Sequence, residues 1–261
     1  MNHLGIKGKV ALVTGAAQGI GEAIARAMAQ YGAHVAAVDS NAERLDAVVN
    51  DILAEGGRAA AFRLDVRDGS SVEEIVERIE KEIGPIEILV HAAGILRTGP
   101  IASLSDEDWS STFEVNCTGV FRLSRSVMNH MMPRMKGSIV TVGSNAAGVP
   151  RMQMSAYAAS KAAVTMFTKC MGLELARYRI RCNIVSPGST DTEMQRSLWK
   201  DEQGAEAIIA GHTDSYRLGI PLGKLAAASD IAEAVIFLAS DLASHITMHD
   251  LCVDGGATLG I

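Results

Sequence analysis

Lys9-Val-Ala-Leu-Val-Thr-Gly-Ala-Ala-Gln-Gly-Ile-Gly21 decides the fold. Its first six residues form a short apolar run that reads as a buried parallel strand. The next seven are a G-x-x-x-G-x-G loop, after which Ile20, Ala23, Ile24, Ala27, Met28 and Tyr31 recur at helical spacing. Glycines at such a turn let the backbone approach a pyrophosphate, and a helix N-terminus favours its negative charge. A tight strand-to-helix connection could use the same glycines. Residues 33–39 add a second strand ending in Asp39. A carboxylate there can accept both ribose hydroxyls of an adenosine and repels a 2′-phosphate, which favours NAD over NADP. Asp39 could equally cap a helix that starts near Asn41. Strand, glycines, helix, strand and acid in this order are more specific than the glycines alone.

The alternation continues outward from that stretch. Residues 41–55 read as a helix, 59–64 as a strand ending at Asp65-Val66, and 70–83 as a helix with Val72, Ile75, Val76, Ile79 and Ile83 on one stripe. Residues 87–90 are a strand leading into His91-Ala-Ala-Gly94. A helix is expected over 106–132, containing Val115-Asn-Cys-Thr-Gly119, and a buried strand over 138–142. Residues 179–185 form another strand that runs into Ser186-Pro-Gly-Ser-Thr-Asp-Thr192. The stretch 194–218 is polar and irregular, as a mobile lid would be. A helix over 229–239 and a strand over 249–253 complete the pattern. Such alternation implies an α/β domain with a doubly wound parallel sheet covered on both faces, one unit over 1–261. Ligands in such folds bind beyond the carboxyl ends of the strands. The glycine loop, Asp39, Asp65, Gly94, Ser144 and Pro187-Gly188 all fall at those ends.

Composition narrows the function. A chain of 261 residues suits one large domain. Its net charge of −6, with no Lys/Arg block, speaks against nucleic acid as a partner. Cys117, Cys170, Cys182 and Cys252 are scattered and form no C-x-x-C pair, so they read as reduced cytosolic thiols and not as a disulfide frame or a metal site. No apolar run approaches the length of a membrane span, and no apolar h-region stands at the start, so a cytoplasmic location is expected.

Chemistry is expected where Ser144, Tyr157 and Lys161 meet. Tyr157 and Lys161 are four apart in an Ala-rich helical segment, which puts both on one face. Ser144 lies where the preceding strand gives out. A free phenol ionises near pH ~10, too high for a base at neutrality. One ammonium at ~4 Å and an effective dielectric of ~20 supplies roughly the 4 kcal/mol that a three-unit drop requires. Lys161 is therefore expected to tune the phenol and Ser144 to orient it. A packed Tyr and a surface Lys on an amphipathic helix would show the same spacing.

Thr14-Gly-Ala-Ala-Gln-Gly-Ile-Gly21, Asp65-Val66, Ala93-Gly94, Asn116, Ser144, Tyr157-x-x-x-Lys161 and Pro187-Gly188 together resemble the short-chain dehydrogenase/reductase family over essentially the whole chain. The resemblance implies a Rossmann-like fold and NAD bound by Gly15, Gln18, Gly19, Ile20 and Gly21, by Asp39, by Asp65 and Val66, and by Ala93 and Gly94. Pro187, Gly188, Thr190 and Thr192 would embrace the nicotinamide. Tyr157 would be the catalytic acid/base, Lys161 would hold the nicotinamide ribose and lower the Tyr pKa, Ser144 would hold the substrate oxygen, and Asn116 would anchor a proton-relay water. Asn116 could otherwise bond to its own helix. His91 departs from the family pattern, which has Asn there tying neighbouring strands together. A buried, hydrogen-bonded structural His is the expectation. The family also implies a homotetramer, with contacts from 106–132, 155–176 and the segment after Gly256.

A narrower resemblance within the family rests on Gly94-Ile-Leu-Arg97, Val149-Pro-Arg151, Arg181-Cys-Asn-Ile-Val-Ser-Pro-Gly-Ser-Thr190, Asp241-Leu-Ala-Ser-His-Ile-Thr247 and Val253-Asp-Gly-Gly-Ala-Thr-Leu-Gly260. It implies a small carboxylated cyclohexadiene diol as substrate. A buried carboxylate wants an Arg fork, which makes Arg97 and Arg151 the candidates; Met152, Met154 and Met194 could form an adaptable apolar wall. Two alternatives remain at this level. One is another alcohol dehydrogenase or ketoreductase of the family, such as a 3-oxoacyl reductase, against whose NADPH dependence Asp39 argues. The other is a non-catalytic nucleotide-binding regulator that keeps the fold.

Overall fold

The computed structural model of the protein describes residues 4–199 and 201–260. Seven strands form one parallel sheet in the order β3-β2-β1-β4-β5-β6-β7. They are β1 (Val10–Thr14), β2 (His34–Asp39), β3 (Arg58–Arg63), β4 (Ile86–His91), β5 (Gly137–Val142), β6 (Ile180–Pro187) and β7 (Asp250–Val253). The order reverses between β1 and β4, so their carboxyl ends flank the crevice where such sheets take ligands. Short β-branched and Ala-rich runs form these strands because both faces are covered. β1 is buried along its whole length.

Helices α1 (Gly19–Gln30), α2 (Ala42–Ala54) and α3 (Gly69–Glu82) follow the first three strands. Asn41 caps α2 by accepting from the Arg44 N–H, and Asp68 caps α3 by accepting from Ser70 and Ser71. Downstream lie α4 (Asp106–Phe113), α5 (Val120–Arg134), α6 (Ser155–Leu175), α7 (Glu193–Arg196), α8 (Gly204–Ala210) and α9 (Ala228–Ala239). α1, α2 and α9 bury Ile24, Leu45 and Val235 against one face of the sheet. α3, α5 and α6 bury Ile79, Leu123 and Met171 against the other. Each fully buried Ile or Leu contributes about 1.5–3 kcal/mol; Leu12→Ala, in the sheet centre with no exposed surface, would cost about 2–5 kcal/mol. Among the described residues no helix is long and apolar enough to cross a membrane.

Two expectations need correction. The helix over 106–132 is not continuous: a π-helical turn, Glu114–Gly119, separates α4 from α5. Its cause is tertiary, because Asn116 is drawn to the loop after β4, and Gly119 lies so close to Val66 that a Cβ would stand 2.7 Å from its Cγ2. The stretch 194–218 is less irregular than expected. The Thr192 hydroxyl accepts from the Gln195 N–H and starts α7, and Gly204 packs under Trp199 at the start of α8.

Candidate active site

The cofactor side of the crevice is shaped by close backbone approach. Gly15 has φ +68°, and a Cβ on it would lie 2.8 Å from the Ala93 backbone. A Cβ on Gly21 would lie 2.0 Å from the Gly15 carbonyl oxygen. The Thr14 hydroxyl locks this arrangement by accepting from the Ala92 and Ala93 N–H groups. Gln18 precedes α1 without a side-chain cap, so the first-turn residues Gly19, Ile20 and Gly21 meet the cleft with donors free for an anion. A cleft of about 480 Å³ runs from there past Asp39, Asp65 and Val66 to Tyr157. This cradle fits a dinucleotide.

Asp39 does not cap α2; Asn41 does that. Its carboxylate accepts from the Ala17 and Asn41 N–H groups, which holds it at the tip of β2. The Asp65 carboxylate is gripped by the Arg67 guanidinium, which holds its pKa below the usual range. Arg44 was not legible as a site residue. It reaches from α2 to Gln18 Oε1 at 2.6 Å and to Glu193 Oε2 at 2.7 Å, bridging the glycine loop and α7. On the far wall, Gly188 lies against Asp254, whose Cβ would be 2.6 Å from an added one. Thr190 pairs with Ala226, and its hydroxyl donates to the Gly188 carbonyl.

The candidate catalytic groups converge at the ends of β4 and β5. Asn116 does not bond to its own helix. Its Oδ1 accepts from the Ile95 N–H at 2.9 Å, and its Nδ2 donates to the Ile95 carbonyl and the Ser160 hydroxyl at 3.0 Å each. Gly94 sits in the gap between Asn116 and Lys161, where a Cβ would be 3.3 Å from Asn116 Oδ1 and 3.6 Å from Lys161 Nζ. Ser144 closes the end of β5, with its Oγ accepting from the Ala146 N–H.

Lys161 stands over the Tyr157 ring and is anchored by a backbone carbonyl. Lys161 Nζ donates to the Val142 carbonyl at 2.9 Å and lies 5.7 Å from the Tyr157 ring centre. Burial pulls its pKa down to about 8. Burial pushes the Tyr157 pKa up, opposed by the Ser144 hydroxyl. The Ser144 hydroxyl pulls the phenol down, while burial works against the phenolate and the ammonium alike. The reason is desolvation, which disfavours the charged form of each.

The substrate side matches the sequence expectation only in part. Arg97 lies at the rim, half exposed, with Nε 3.4 Å from Asp108. Arg151, Met154 and Met194 line the cleft, whereas Met152 is exposed and does not. Arg217 also lines it, carried by the segment expected to be a lid. His91 is buried as expected, but its Nε2 meets the Ser124 hydroxyl of α5 at 2.8 Å, tying strand to helix and not strand to strand.

The pattern of the short chain dehydrogenase family matches residues 9–203, and the chain belongs to that family. It is 66% identical over 261 residues, the whole of both chains, to 2,3-dihydro-2,3-dihydroxybenzoate dehydrogenase of Bacillus subtilis (strain 168). It is 47% identical to the protein of the same name from Escherichia coli (strain K12), over 97% of this chain and 98% of that one. A solved gluconate 5-dehydrogenase from Burkholderia cenocepacia J2315, in complex with NADP and tartrate, has a TM-score of 0.92 to it at 32% identity, covering 100% of this chain and 99% of that one.

Proposed function

We propose that the chain oxidises 2,3-dihydro-2,3-dihydroxybenzoate to 2,3-dihydroxybenzoate with NAD, the step that makes the catechol acid of catechol siderophores. The observation that carries this reading is the full-length 66% identity to a dehydrogenase of that name, and the site accepts the chemistry. NAD, when bound, supplies the hydride acceptor. Gly15, Gly19 and the first turn of α1 would take its pyrophosphate, Asp39 would hold its adenosine ribose, and Asp65 and Val66 would contact the adenine. Asp39 leaves no room for a 2′-phosphate charge. Pro187, Gly188, Thr190 and Thr192 wall the nicotinamide end.

Tyr157 takes the proton from the ring C3 hydroxyl, which Ser144 holds. Lys161 places a positive charge in the same pocket and holds the nicotinamide ribose. Asn116 fixes the loop carrying Gly94 and Ile95 beside both, and is placed to anchor a relay water. Loss of hydride from C3 leaves an enone that tautomerises to the catechol, so aromatisation drives the reaction one way. Copies of the chain assemble as a homotetramer in the cytoplasm; exposed Trp109 and Phe121 on α4 and α5, with Met166 and Leu173 on α6, support such contacts, and four free thiols suit a reducing compartment. The segment 194–218 acts as a lid. The test is to incubate the protein with NAD and the diol acid and identify the product. Stoichiometric NADH and 2,3-dihydroxybenzoate are expected; oxidation of simple polyols with no reaction of the diol acid would refute the reading.

A further inference from the structure

Most arginines around the cleft are neutralised. Arg44 pairs with Glu193, Arg67 with Asp65 and Arg97 with Asp108. Arg151 and Arg217 differ: both line the cleft beside Tyr157, and among the described residues neither has a carboxylate oxygen within 4.0 Å. They are close enough for the charge on Arg151 to disfavour the charge on Arg217, and burial disfavours both. The acid whose charge acts on Arg151 is Asp254, but its oxygens already accept from Asn145, Gly256 and Thr258. Two partly desolvated cations thus face the substrate space without a counter-charge, which costs free energy unless an anion arrives.

The two arginines are delivered by different devices. Arg151 sits on the loop between β5 and α6, which is fastened to the loop after β4 by the Gly99 N–H donating to the Gln153 carbonyl. Arg217 comes from a short excursion whose neck is Gly211 and Gly219. Both have positive φ, and a Cβ on Gly211 would lie 2.5 Å from the Gly219 nitrogen. His212 and Arg217 exchange backbone hydrogen bonds at 2.9 and 3.0 Å just above that neck. The Arg217 side chain then reaches Met154, its Nη2 3.8 Å from the sulfur, at the residue immediately before α6, which brings Tyr157 into the cleft wall.

We propose that Arg151 and Arg217 form a two-arginine receptor for the substrate carboxylate, Arg151 standing on the catalytic loop and Arg217 on the lid segment. This rests on the substrate class proposed above. Two guanidinium forks satisfy both carboxylate oxygens. The bound acid also bridges lid and catalytic loop, so the group that marks the correct substrate is the one that holds the cleft shut. A neutral alcohol supplies no such bridge. Arg217 is therefore a specificity-determining residue, and Arg97, paired at the rim, is not.

Two readouts keep this separate from the assignment of the reaction. Benzoate, titrated into the NADH-loaded protein, probes the receptor without turnover. The ratio of kcat/KM for the diol acid to that for its methyl ester probes it during turnover. Arg217→Ala and Arg151→Ala should each weaken benzoate by about tenfold to a hundredfold and shrink the acid-over-ester preference by a similar factor. Arg217→Lys, which keeps the charge and loses the fork, should fall between, and NADH affinity reports that the fold is intact. Benzoate affinity and acid preference within twofold of wild type in Arg217→Ala and Arg217→Lys would overturn the proposal. A wild-type protein that binds benzoate through these arginines yet leaves the diol acid unoxidised would keep the receptor and overturn the reaction.

Discussion

From Thr14 to Asp39 the cleft wall is backbone. Gly15 touches Ala93, Gly21 touches the Gly15 carbonyl, and the Asp39 carboxylate is pinned by two N–H groups. From Arg151 to Arg217 the wall is long side chains set on a loop and on a segment of short helices, and their positions depend on a glycine neck and a sulfur contact. The first wall tolerates almost no added atom and presents the same donors to any dinucleotide. The second is adjustable, and its two unpaired charges select the ligand. A rigid, general half and an adaptable, specific half meet at Tyr157, which is how one fold can keep its cofactor while its substrate varies.

The largest effects are expected where the halves meet. Lys161→Met should lower kcat by about 10²–10⁴-fold, the usual worth of acid–base assistance. In the wild-type protein the oxidation rate should rise with pH above neutrality, because the base must be deprotonated and burial raises the Tyr157 pKa. A rate that falls over that range, measured by NADH absorbance, would contradict the assignment of Tyr157 as base. In the rigid half, Gly21→Ala should cost about 3 kcal/mol or more, because its Cβ would meet backbone and not a side chain that can turn away. A denaturant titration with unchanged midpoint would show that this wall gives.

Asn116→Ala leaves the Ile95 N–H and carbonyl without their partner, at about 1–3 kcal/mol for each group left unsatisfied, while the Ser160 hydroxyl keeps its bond to the Tyr157 carbonyl. It should also raise KM for NAD, since the loop it holds carries Gly94; a stability loss without any kinetic change would confine Asn116 to a structural role. His91 offers a pH test away from both walls. Burial holds its pKa down to about 3, against 6.5 for the free group. The unfolded chain binds that proton as pH falls below 6.5 and the folded one does not until about 3, so stability drops across this window with falling pH. At about pH 4.5 the loss is about 2–3 kcal/mol. His91→Asn should be less acid-sensitive over the same window, by Tm against pH; parallel curves would refute the assignment. Arg97→Ala should be the smallest change, less than about twofold in KM for the diol acid, because an exposed ion pair contributes roughly 0–1 kcal/mol.

The rigid half was nearly all legible in the sequence. Strand periodicity, the G-x-x-x-G-x-G spacing and the acid ending β2 are local signals, and local signals are what backbone-built sites consist of. The strand and helix ends of 9–90 fall within one or two residues of expectation. Misreadings arose where tertiary contacts decide. The π turn at Glu114–Gly119 leaves no mark in the hydrophobic stripe, because its cause is a hydrogen bond to Ile95. Lys161 has the right spacing to stand over the Tyr157 ring, but the Val142 carbonyl that anchors its ammonium could not be read from that spacing. Arg217 could not be singled out because it enters the cleft only once Gly211 and Gly219 pack together. Arg97 lines the cleft, as its place beside a motif suggested, but its pairing with Asp108 left no mark in the sequence.

The most direct test of Tyr157 as the meeting point is a single-turnover measurement of NADH formation from the diol acid, comparing wild type with Tyr157→Phe at matched NAD affinity. A loss of at least about 10²-fold in the Phe variant, with diol-acid binding retained, is the predicted result. Equal NADH bursts from the two proteins would mean that proton removal occurs elsewhere in the cleft and would contradict the account.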